Sequence, residues 1–361
     1  MCTIGELTTK VGSGVTPRGG EAVYKTEGHP FVRSQNVGLG NLLLDDIAFI
    51  DEETHLRQKS TELQFNDVLL NITGASIGRS ALVDKQIVGG NVNQHVCIIR
   101  TKENLVPSFI CSFLLSNYGQ RQIDSFQAGG NRQGLNFEQI KSIKITIPSK
   151  DEQIKIAKLL RAIDERIATQ NKIIDKLQSL IKGLRVCCMQ RNGSDNVYLS
   201  EIAQIYQPQT ISSAELTEDG FLVYGANGII GKYKDYNHKT EQICITCRGN
   251  TCGMVNYTKP MSWITGNAMV INTDKYQDKV YKKYLYHYLS AYNFNSIISG
   301  SGQPQIVRTP LEKLKITLPT ISEQKQKAMI LDKIQDKIEI NHNVLNLYIL
   351  QKQYLLRQMF I

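Results

Sequence analysis

The chain has 361 residues, a formal net charge of +9, 41% hydrophobic residues and 21% charged residues. This length suits two or three folded domains, and the composition excludes a largely disordered chain. The sequence has neither a run of 18 apolar residues nor a basic, apolar leader, so we expect no membrane partner and no secretory signal. Eight cysteines without regular spacing suit a reducing compartment, and we expect a cytoplasmic protein.

The first 148 residues have the pattern of a mixed α/β domain. Apolar runs, glycines and prolines indicate a short helix, three strands and a later helix, at 4–11, 29–37, 67–72, 91–100 and 107–115 respectively. A polar glycine loop at 129–136 follows. The segment at 29–37 places polar side chains directly after its apolar residues.

The stretch from residue 140 to 190 occurs twice, because it aligns without a gap on 311–361 at a constant offset of 171 residues. A period this long is not a solenoid repeat, and it indicates two similar halves. The identical pairs are Lys144/Lys315, Thr146/Thr317, Pro148/Pro319, Glu152/Glu323, Gln153/Gln324, Ala157/Ala328, Leu160/Leu331, Ile163/Ile334 and Ile167/Ile338.

Each copy of the repeat predicts a long helix. Ser149 with Glu152, and Thr320 with Glu323, have the spacing of capping boxes, and each precedes an apolar run with heptad steps. Because one polar residue falls at the same seam position in each run, we expect the helices to pack on each other in one register; packing of each seam on its own domain is the alternative. The seam residues are Leu160, Ile163, Ile167, Gln170 and Ile174 in the first copy and Leu331, Ile334, Ile338, Asn341 and Leu345 in the second.

The region 195–319 repeats the first domain in shorter form, with strands predicted at 242–246 and 267–271 and a helix at 280–291. The fold class predicted is therefore α+β, as a pseudo-twofold repeat of two globular domains and two long helices. The predicted organisation is a first domain at 1–148, a central helix at 149–190, a second domain at 195–319 and a C-terminal helix at 320–361.

The positive charge is concentrated on the first repeated helix. Residues 149–192 carry ten basic and five acidic side chains, whereas residues 1–148 carry fourteen of each. A basic helix face could lie beside phosphates, but a solvated helix surface explains the same pattern equally well.

Three motifs with a catalytic or ligand-binding spacing have plainer explanations. The segment 74–80 resembles a phosphate loop but has one residue too few between its glycines, so a structural turn shared with 248–253 is favoured. Cys244, Cys247 and Cys252 suggest zinc, yet no second cysteine pair is spaced to complete the site, so buried thiols are favoured. His95 lies in a predicted apolar strand, where a histidine is more often a hydrogen-bonded core residue than a catalytic one. We therefore expect no catalytic residue and no metal site in this chain.

Loops rich in amide and arginine side chains are the best candidates for a binding function. Amides pair with adenine edges and arginine pairs with guanine, so such loops are plausible readers of a DNA major groove. For any single residue an ordinary role in a turn is equally plausible, so the prediction rests on the set. The candidates are Arg33, Gln35, Asn36, Arg79, Asn131, Arg132, Gln133 and Asn136 in the first half and Asn227, Arg248, Asn267, Gln303, Gln305 and Arg308 in the second.

Over its whole length the sequence resembles the specificity subunits of type I restriction–modification enzymes. The resemblance is carried by the two Pro-x3-Glu-Gln stretches at 143–156 and 314–327, the Gly-Ser-Gly-Gln-Pro-Gln loop at 300–305 and the segment HPFVRSQNV at 29–37. Two departures occur in detail: Lys327 stands where the first copy has Ile156, and the first half has Gly-Gly-Asn-Arg-Gln in its loop.

The resemblance implies two target-recognition domains held apart by two antiparallel helices. Each domain would read one half of a split double-stranded DNA target, and the helices would dock two methyltransferase subunits. Motor-nuclease subunits would join for cleavage. S-adenosylmethionine, ATP and Mg²⁺ would be cofactors of those partners, with none in this chain. A stand-alone DNA-modifying enzyme and a coiled-coil scaffold for proteins remain the alternatives.

The length of the predicted helix gives an independent scale. The span from Gln153 to Leu184 would measure roughly 48 Å at ~1.5 Å per residue. That distance corresponds to on the order of 14 base pairs. We therefore expect the helix length to set an unread spacer between two half-sites.

Overall fold

The protein is described as a computed structural model over residues 1–17, 19–127, 134–189, 195–226, 228–300 and 302–360. It divides into two compact units: unit 1 is Met1–Asn171 with Asn343–Ile361, and unit 2 is Lys172–His342. Both units mix helices and strands, which confirms the predicted fold class. Within the described ranges, every helix is too short or too polar to cross a membrane.

Unit 1 begins with the part of the chain that we call head 1 (residues 1–148). Its described strands are β1 (Cys2–Thr3), β2 (Thr8–Ser13), β3 (His29–Val32), β4 (Ala48–Ile50), β5 (Val68–Asn71), β6 (Ser80–Leu82), β7 (Asn91–Val92), β8 (Val96–Thr101) and β9 (Lys144–Ile145). Its described helices are α1 (Glu52–Arg57), α2 (Pro107–Leu114), α3 (Asn117–Ser125) and α4 (Phe137–Ser142). Helix α5 (Lys150–Met189) follows.

Head 1 contains two main sheets and one short strand pair. An antiparallel sheet has the order β2-β8-β5-β6, a second sheet has the order β4-β3-β7, and β1 pairs with β9. The central strand β5 is buried along all four residues, VLLN, since both of its faces are covered. Helices α2 and α4 supply core residues next to this sheet, including Phe109, Phe113 and Ile140.

Unit 2 contains head 2 (residues 195–319). Its described strands are β10 (Asp195–Tyr198), β11 (Gln204–Tyr206), β12 (Phe221–Gly225), β13 (Gly228–Tyr233), β14 (Ile243–Thr246), β15 (Val255–Tyr257), β16 (Trp263–Ile264), β17 (Ala268–Asn272) and β18 (Lys315–Leu318). Its described helices are α6 (Lys282–Ala291) and α7 (Arg308–Glu312), and α8 (Ile321–Met359) completes the chain.

Head 2 repeats the sheet topology of head 1. Its sheets have the orders β11-β17-β14-β15 and β13-β12-β16, and β10 pairs with β18. In each head the three-stranded sheet has one antiparallel and one parallel pair: β3 with β4 and β7, and β12 with β13 and β16. The two heads are therefore two versions of one framework.

The long helices begin as the sequence predicts. At the start of α5 the Ser149 N–H donates to Glu152 Oε2 at 3.0 Å, and the Glu152 N–H donates to Ser149 Oγ at 3.4 Å. At the start of α8, Thr320 and Glu323 make the same pair of bonds at 3.2 and 3.4 Å. Each box satisfies N–H groups that a helix start leaves unpaired.

The seam residues of the two helices point into packed surfaces. Four of them are partly buried: Ile167, Ile334, Asn341 and Leu345. The other six are buried: Leu160, Ile163, Gln170, Ile174, Leu331 and Ile338.

Within each unit, α5 and α8 run antiparallel. In unit 1, Asp164 pairs with Lys352 at 2.6 Å, and Arg166 donates to the Tyr348 hydroxyl at 3.3 Å. In unit 2, Ile181 packs with Leu331 and Ile338, Arg185 donates to Gln335 Oε1 at 3.3 Å, and Lys327 donates to the Cys188 carbonyl at 3.2 Å. Because residue numbers rise along α5 as those of their partners on α8 fall, the two helices run in opposite directions in both units.

One glutamine joins each long helix to its own head. The Gln153 side chain, 1% exposed, accepts from the Val106 N–H at 2.9 Å and donates to the carbonyls of Asn104 at 3.1 Å and Pro148 at 3.0 Å. These bonds tie the first turn of α5 to the loop before α2. Buried amides with every bond satisfied hold two segments in a defined geometry.

Gln324 makes the same three bonds in unit 2. It accepts from the Tyr281 N–H at 2.8 Å and donates to the carbonyls of Lys279 at 3.1 Å and Pro319 at 2.8 Å. We call these two arrangements the glutamine clasps. They give the repeated Glu-Gln pair a structural role: the glutamate caps the helix and the glutamine holds the helix to its head.

Two of the expected elements differ from the structure. The segment expected to be a helix at 4–11 is a single 3-10 turn, Gly5–Leu7, followed by strand β2. Residues 8–13 pair with β8 as a strand, and this long-range pairing outweighs the local apolar spacing that predicted a helix. The strand expected at 91–100 is two strands, because β7 and β8 belong to different sheets and residues 93–95 connect them.

Replacing Gln153 with alanine should destabilise unit 1 by about 2–4 kcal/mol, because the part-buried Val106 N–H and the carbonyls of Asn104 and Pro148 would lose their side-chain partner. Urea unfolding of the full chain measures this loss. Gln178→Ala, an exposed glutamine on the same helix, is the matched control and should change stability by less than about 0.5 kcal/mol. Equal effects of the two changes would contradict the role of the clasp.

A second polar contact, centred on His287, joins α6 to both long helices within unit 2. His287 is buried; its Nε2 lies 3.0 Å from Asp332 Oδ1, and its Nδ1 accepts from Arg185 Nε at 3.2 Å. The ring is therefore neutral with its proton on Nε2. Burial, followed by the positive charge of Arg185, lowers the pKa of His287, although the bond to Asp332 opposes the shift.

This lowered pKa predicts that unit 2 loses stability in mild acid. The unfolded histidine has the higher pKa, about 6.5, so it takes up a proton first as the pH falls. The contribution of neutral His287 to the stability of unit 2 is present above a pH of about 6.5 and is lost as the pH falls below it. Melting temperatures between pH 7.5 and 5.5 should fall less in His287→Gln than in the wild type. His342→Gln, an exposed histidine on α8, should keep the wild-type slope, and identical slopes for all three proteins would refute the prediction.

Candidate nucleic-acid interface

In head 1, three loops and the segment before α4 meet at one edge of the two sheets. We call residues 33–37, 72–79, 93–95 and 134–136 loop cluster 1. The Ile72 N–H donates to the His95 carbonyl at 3.0 Å, and the Leu135 N–H donates to the Ile72 carbonyl at 2.9 Å. Residue 72 thus anchors two of the neighbouring segments through its backbone.

A buried asparagine at the end of β5 holds the other loop. Asn71 is fully buried, and its Nδ2 donates to the Ser34 carbonyl at 2.8 Å and to Ser76 Oγ at 3.1 Å. The turn after it needs glycines, because Gly74 and Gly78 have φ values of +71° and +84°. The cluster is therefore rigidly supported from the core side.

Loop cluster 1 forms an open pocket of about 470 Å³, lined mostly by residues with polar side chains. Its chemistry is that of a hydrogen-bonding surface with one permanent positive charge, on Arg79, rather than that of an apolar ligand site. The lining residues are Ser34, Gln35, Thr73, Gly74, Ala75, Ser76, Arg79 and His95.

Head 2 builds a matching loop cluster 2 from residues 226, 247–254, 266–267 and 302–306. The Cys247 N–H donates to the Asn267 carbonyl at 3.1 Å, and the Ile306 N–H donates to the Cys247 carbonyl at 3.0 Å. The Thr246 side chain at the end of β14 donates to the Ala226 carbonyl at 2.5 Å. The two backbone bonds of Cys247 match those of Ile72, and the bond of Thr246 to Ala226 matches that of Asn71 to Ser34.

The bonding pattern assigns equivalent positions in the two clusters. Ile72 corresponds to Cys247, so the next residues, Thr73 and Arg248, also correspond. The turns close alike, because Gly78 donates to the Asn71 carbonyl at 3.0 Å and Gly253 donates to the Thr246 carbonyl at 2.9 Å. The shared turn expected from the sequence is therefore present, with different side chains at equivalent places.

The predicted base-contacting residues of head 1 fall into two groups. Gln35 and Arg79 are exposed and line the pocket, although Gln35 Nε2 also donates to Asp46 Oδ2 at 2.5 Å. Arg33 donates to the Asp46 carbonyl at 2.8 Å, Asn36 is 1% exposed and donates to the Leu43 carbonyl at 2.9 Å, and Asn136 caps helix α4. The second group is thus engaged in holding the head together.

In head 2, backbone pairing brings three of the predicted residues together. Arg248 forms a bridge with Gln305, and Asn267 bonds to the residue before Arg248; all three side chains are exposed. Gln303 is exposed two residues before Gln305, and Arg308 pairs with Glu312 at 2.6 Å. Four other candidates, Asn131, Arg132, Gln133 and Asn227, lie outside the described residues.

Three polar residues of loop cluster 1 were missed by the sequence pattern. Thr73 and Ser76 are short side chains in a turn, and His95 was expected in the core. His95 instead lies half-buried before β8, with Nδ1 2.7 Å from Thr73 Oγ1. The polar run at 93–95 is the sequence signal that could have revealed this position of His95, because it interrupts the apolar pattern and indicates that the strand ends at Val92.

The cysteines of head 2 have the properties of buried thiols. Burial raises the pKa of Cys244 to about 12, so this thiol stays protonated at neutral pH. A protonated thiol is a poor metal ligand and a poor nucleophile. Cys247 is also buried, and its Sγ lies 3.2 Å from the Asn267 carbonyl, within the framework of loop cluster 2.

A family model described as the type I restriction modification DNA specificity domain matches residues 1–179 and 192–347. The two matches together cover most of the chain, one in each half. This agrees with the two copies of one framework described above.

Relatives and solved structures similar to this chain include two specificity subunits and one S subunit. It is 25% identical over 324 residues to the type I restriction enzyme MjaVIII specificity subunit of Methanocaldococcus jannaschii, covering 76% of this chain and 73% of the relative. It is 32% identical over 140 residues to the type I restriction enzyme EcoprrI specificity subunit of Escherichia coli, covering 37% of this chain and 34% of the relative. The crystal structure of a type I restriction–modification system S subunit from M. genitalium superposes with a TM-score of 0.69 at 16% identity, covering 99% of this chain and 95% of that one, which shows a shared fold.

Proposed function

The chain belongs to the type I restriction–modification DNA specificity family, and on that premise we propose that it is the DNA-reading subunit of a modification or restriction complex. Each head reads one half of a bipartite double-stranded target. The partners are two methyltransferase subunits and, where the system cleaves, motor-nuclease subunits. These partners carry S-adenosylmethionine, ATP and Mg²⁺, and this chain supplies sequence recognition.

The observation that carries the proposal is the pair of equivalent loop clusters with different side chains. The framework bonds are the same in both heads, whereas Thr73 stands where head 2 has Arg248 and His95 stands where head 2 has Asn267. Base edges are distinguished by the pattern of donors and acceptors that meets them. Two loop clusters with the same framework bonds but different side chains at equivalent positions are suited to reading two different half-sites.

The long helices supply the features that a docking surface needs. In unit 1, α8 exposes the apolar side chains of Leu347, Leu350 and Tyr354. In unit 2, α8 exposes Ile330 and Ile340. Exposed apolar side chains of this size are typical of protein interfaces. This supports docking of one methyltransferase subunit on each half.

The chemical state of the buried cysteines supports a non-catalytic role. Burial raises the pKa of Cys97 to about 12 and that of Cys111 to about 11, as it does for Cys244. None of these three thiols supplies a thiolate at neutral pH. In this proposal, methyl transfer and cleavage are assigned to the partner subunits.

Methyladenine mapping in cells tests recognition directly. The chain is expressed with the methyltransferase of its own system, and we expect one bipartite motif that disappears when the chain is omitted. Arg248→Ala should relax one half of the motif and leave the other unchanged, with a loss of discrimination of about 1–3 kcal/mol if it contacts a base. Methylation without this chain, or with no preferred sequence, would contradict the proposal.

Changing the helices tests the proposed origin of the spacer. Seven residues inserted in frame with the seam in both α5 and α8 lengthen the pair by about 10 Å. The unread spacer should grow by roughly three base pairs while both half-sites stay the same. A control insertion of three residues breaks the heptad register and should abolish methylation. An unchanged spacer after the heptad insertion would refute this part of the proposal.

A further inference from the structure

His95 lines the pocket of loop cluster 1 and is the one ring side chain among its described lining residues, although the sequence pattern did not select it. It lies half-buried at the end of the loop before β8 and lines the pocket beside Gln35, Thr73 and Arg79. Its Nδ1 is held 2.7 Å from Thr73 Oγ1, and its Nε2 lies 3.4 Å from the exposed Gln94 amide nitrogen. One ring nitrogen is thus fixed by the head, and the other lies toward exposed polar groups.

The framework bonds place His95 where head 2 has Asn267. The His95 carbonyl accepts from Ile72 N–H at 3.0 Å, and the Asn267 carbonyl accepts from Cys247 N–H at 3.1 Å. Both residues directly precede the strand beside the central one, β8 in head 1 and β17 in head 2. Asparagine at this place is a base-reading side chain type, and imidazole can meet the same base edges as a single donor or acceptor.

We infer that His95 is a specificity-determining residue, which hydrogen-bonds a base edge in the half-site read by head 1 through its Nε2. This inference rests on the proposed function. Thr73 is its positioning residue, because the bond to Nδ1 sets the direction of the ring. A role limited to joining the turn to the loop is the alternative, since the Thr73–His95 bond also links residues 73 and 95.

Two variants separate the base contact from the structural role. In the complete complex with its methyltransferase, His95→Ala should relax one base position in one half-site, with a loss of discrimination on the order of tenfold to a hundredfold. His95→Asn keeps a donor and an acceptor at that place and should change the preferred base there instead of erasing the preference. Asn267→Ala is the matched control, and it should affect the other half-site only.

Each result decides for or against the inference. Methyladenine maps and binding titrations on duplexes with every base at each position provide the readout. An unchanged motif in both variants refutes the base contact. Equal weakening on all sequences also refutes it and indicates a phosphate contact. Loss of folding in both variants, measured by thermal unfolding, assigns His95 a structural role and likewise overturns the inference.

Failure here is distinguishable from failure of the proposed function. If the wild-type complex methylates a bipartite motif and the His95 variants keep that motif, only the inference falls. If the wild-type complex shows no sequence preference, the proposed function falls, whatever the variants do.

Discussion

The glutamine clasp is the contact on which the rest of each unit depends. Gln153 and Gln324 are both 1% exposed, and each fixes the first turn of a long helix to the loop before a head helix. A buried amide tolerates little displacement, because every lost bond leaves a polar group buried without a partner. Each head is therefore attached to the start of its helix by a directional joint, and any displacement of the helix start is transmitted to its head.

Above this joint, both heads use one framework for different surfaces. The residue ending the central strand, Asn71 or Thr246, holds the loop that follows the neighbouring sheet's middle strand. The framework bonds use backbone groups or buried side chains, so the outward side chains can differ without loss of support. This separation of support from surface is what a protein needs if it is to read two unlike sequences with one architecture.

The structure also separates candidates that the sequence treated alike. Arg33, Gln35 and Asn36 are neighbours of suitable chemical type and all three bond to the segment around Asp46, yet only Gln35 is exposed in the pocket. Likewise His95 was expected in the core from its apolar neighbours. Which side of a loop faces outward depends on residues distant in sequence, and local patterns do not report it.

By itself the sequence determined the mixed fold class, the two halves, the capping boxes and the long helices, because each rests on short-range bonding or on a periodicity that a helix must follow. It also selected the amide-rich and arginine-rich loops from residue chemistry. Only the tertiary structure decided that residues 8–13 form a strand and that Gln153 and Gln324 hold the helices to the heads. It also decided that His95 and Asn267 occupy equivalent positions in the two heads. These features depend on hydrogen bonds between segments tens of residues apart, and the partner of a buried polar group is set by the packed fold.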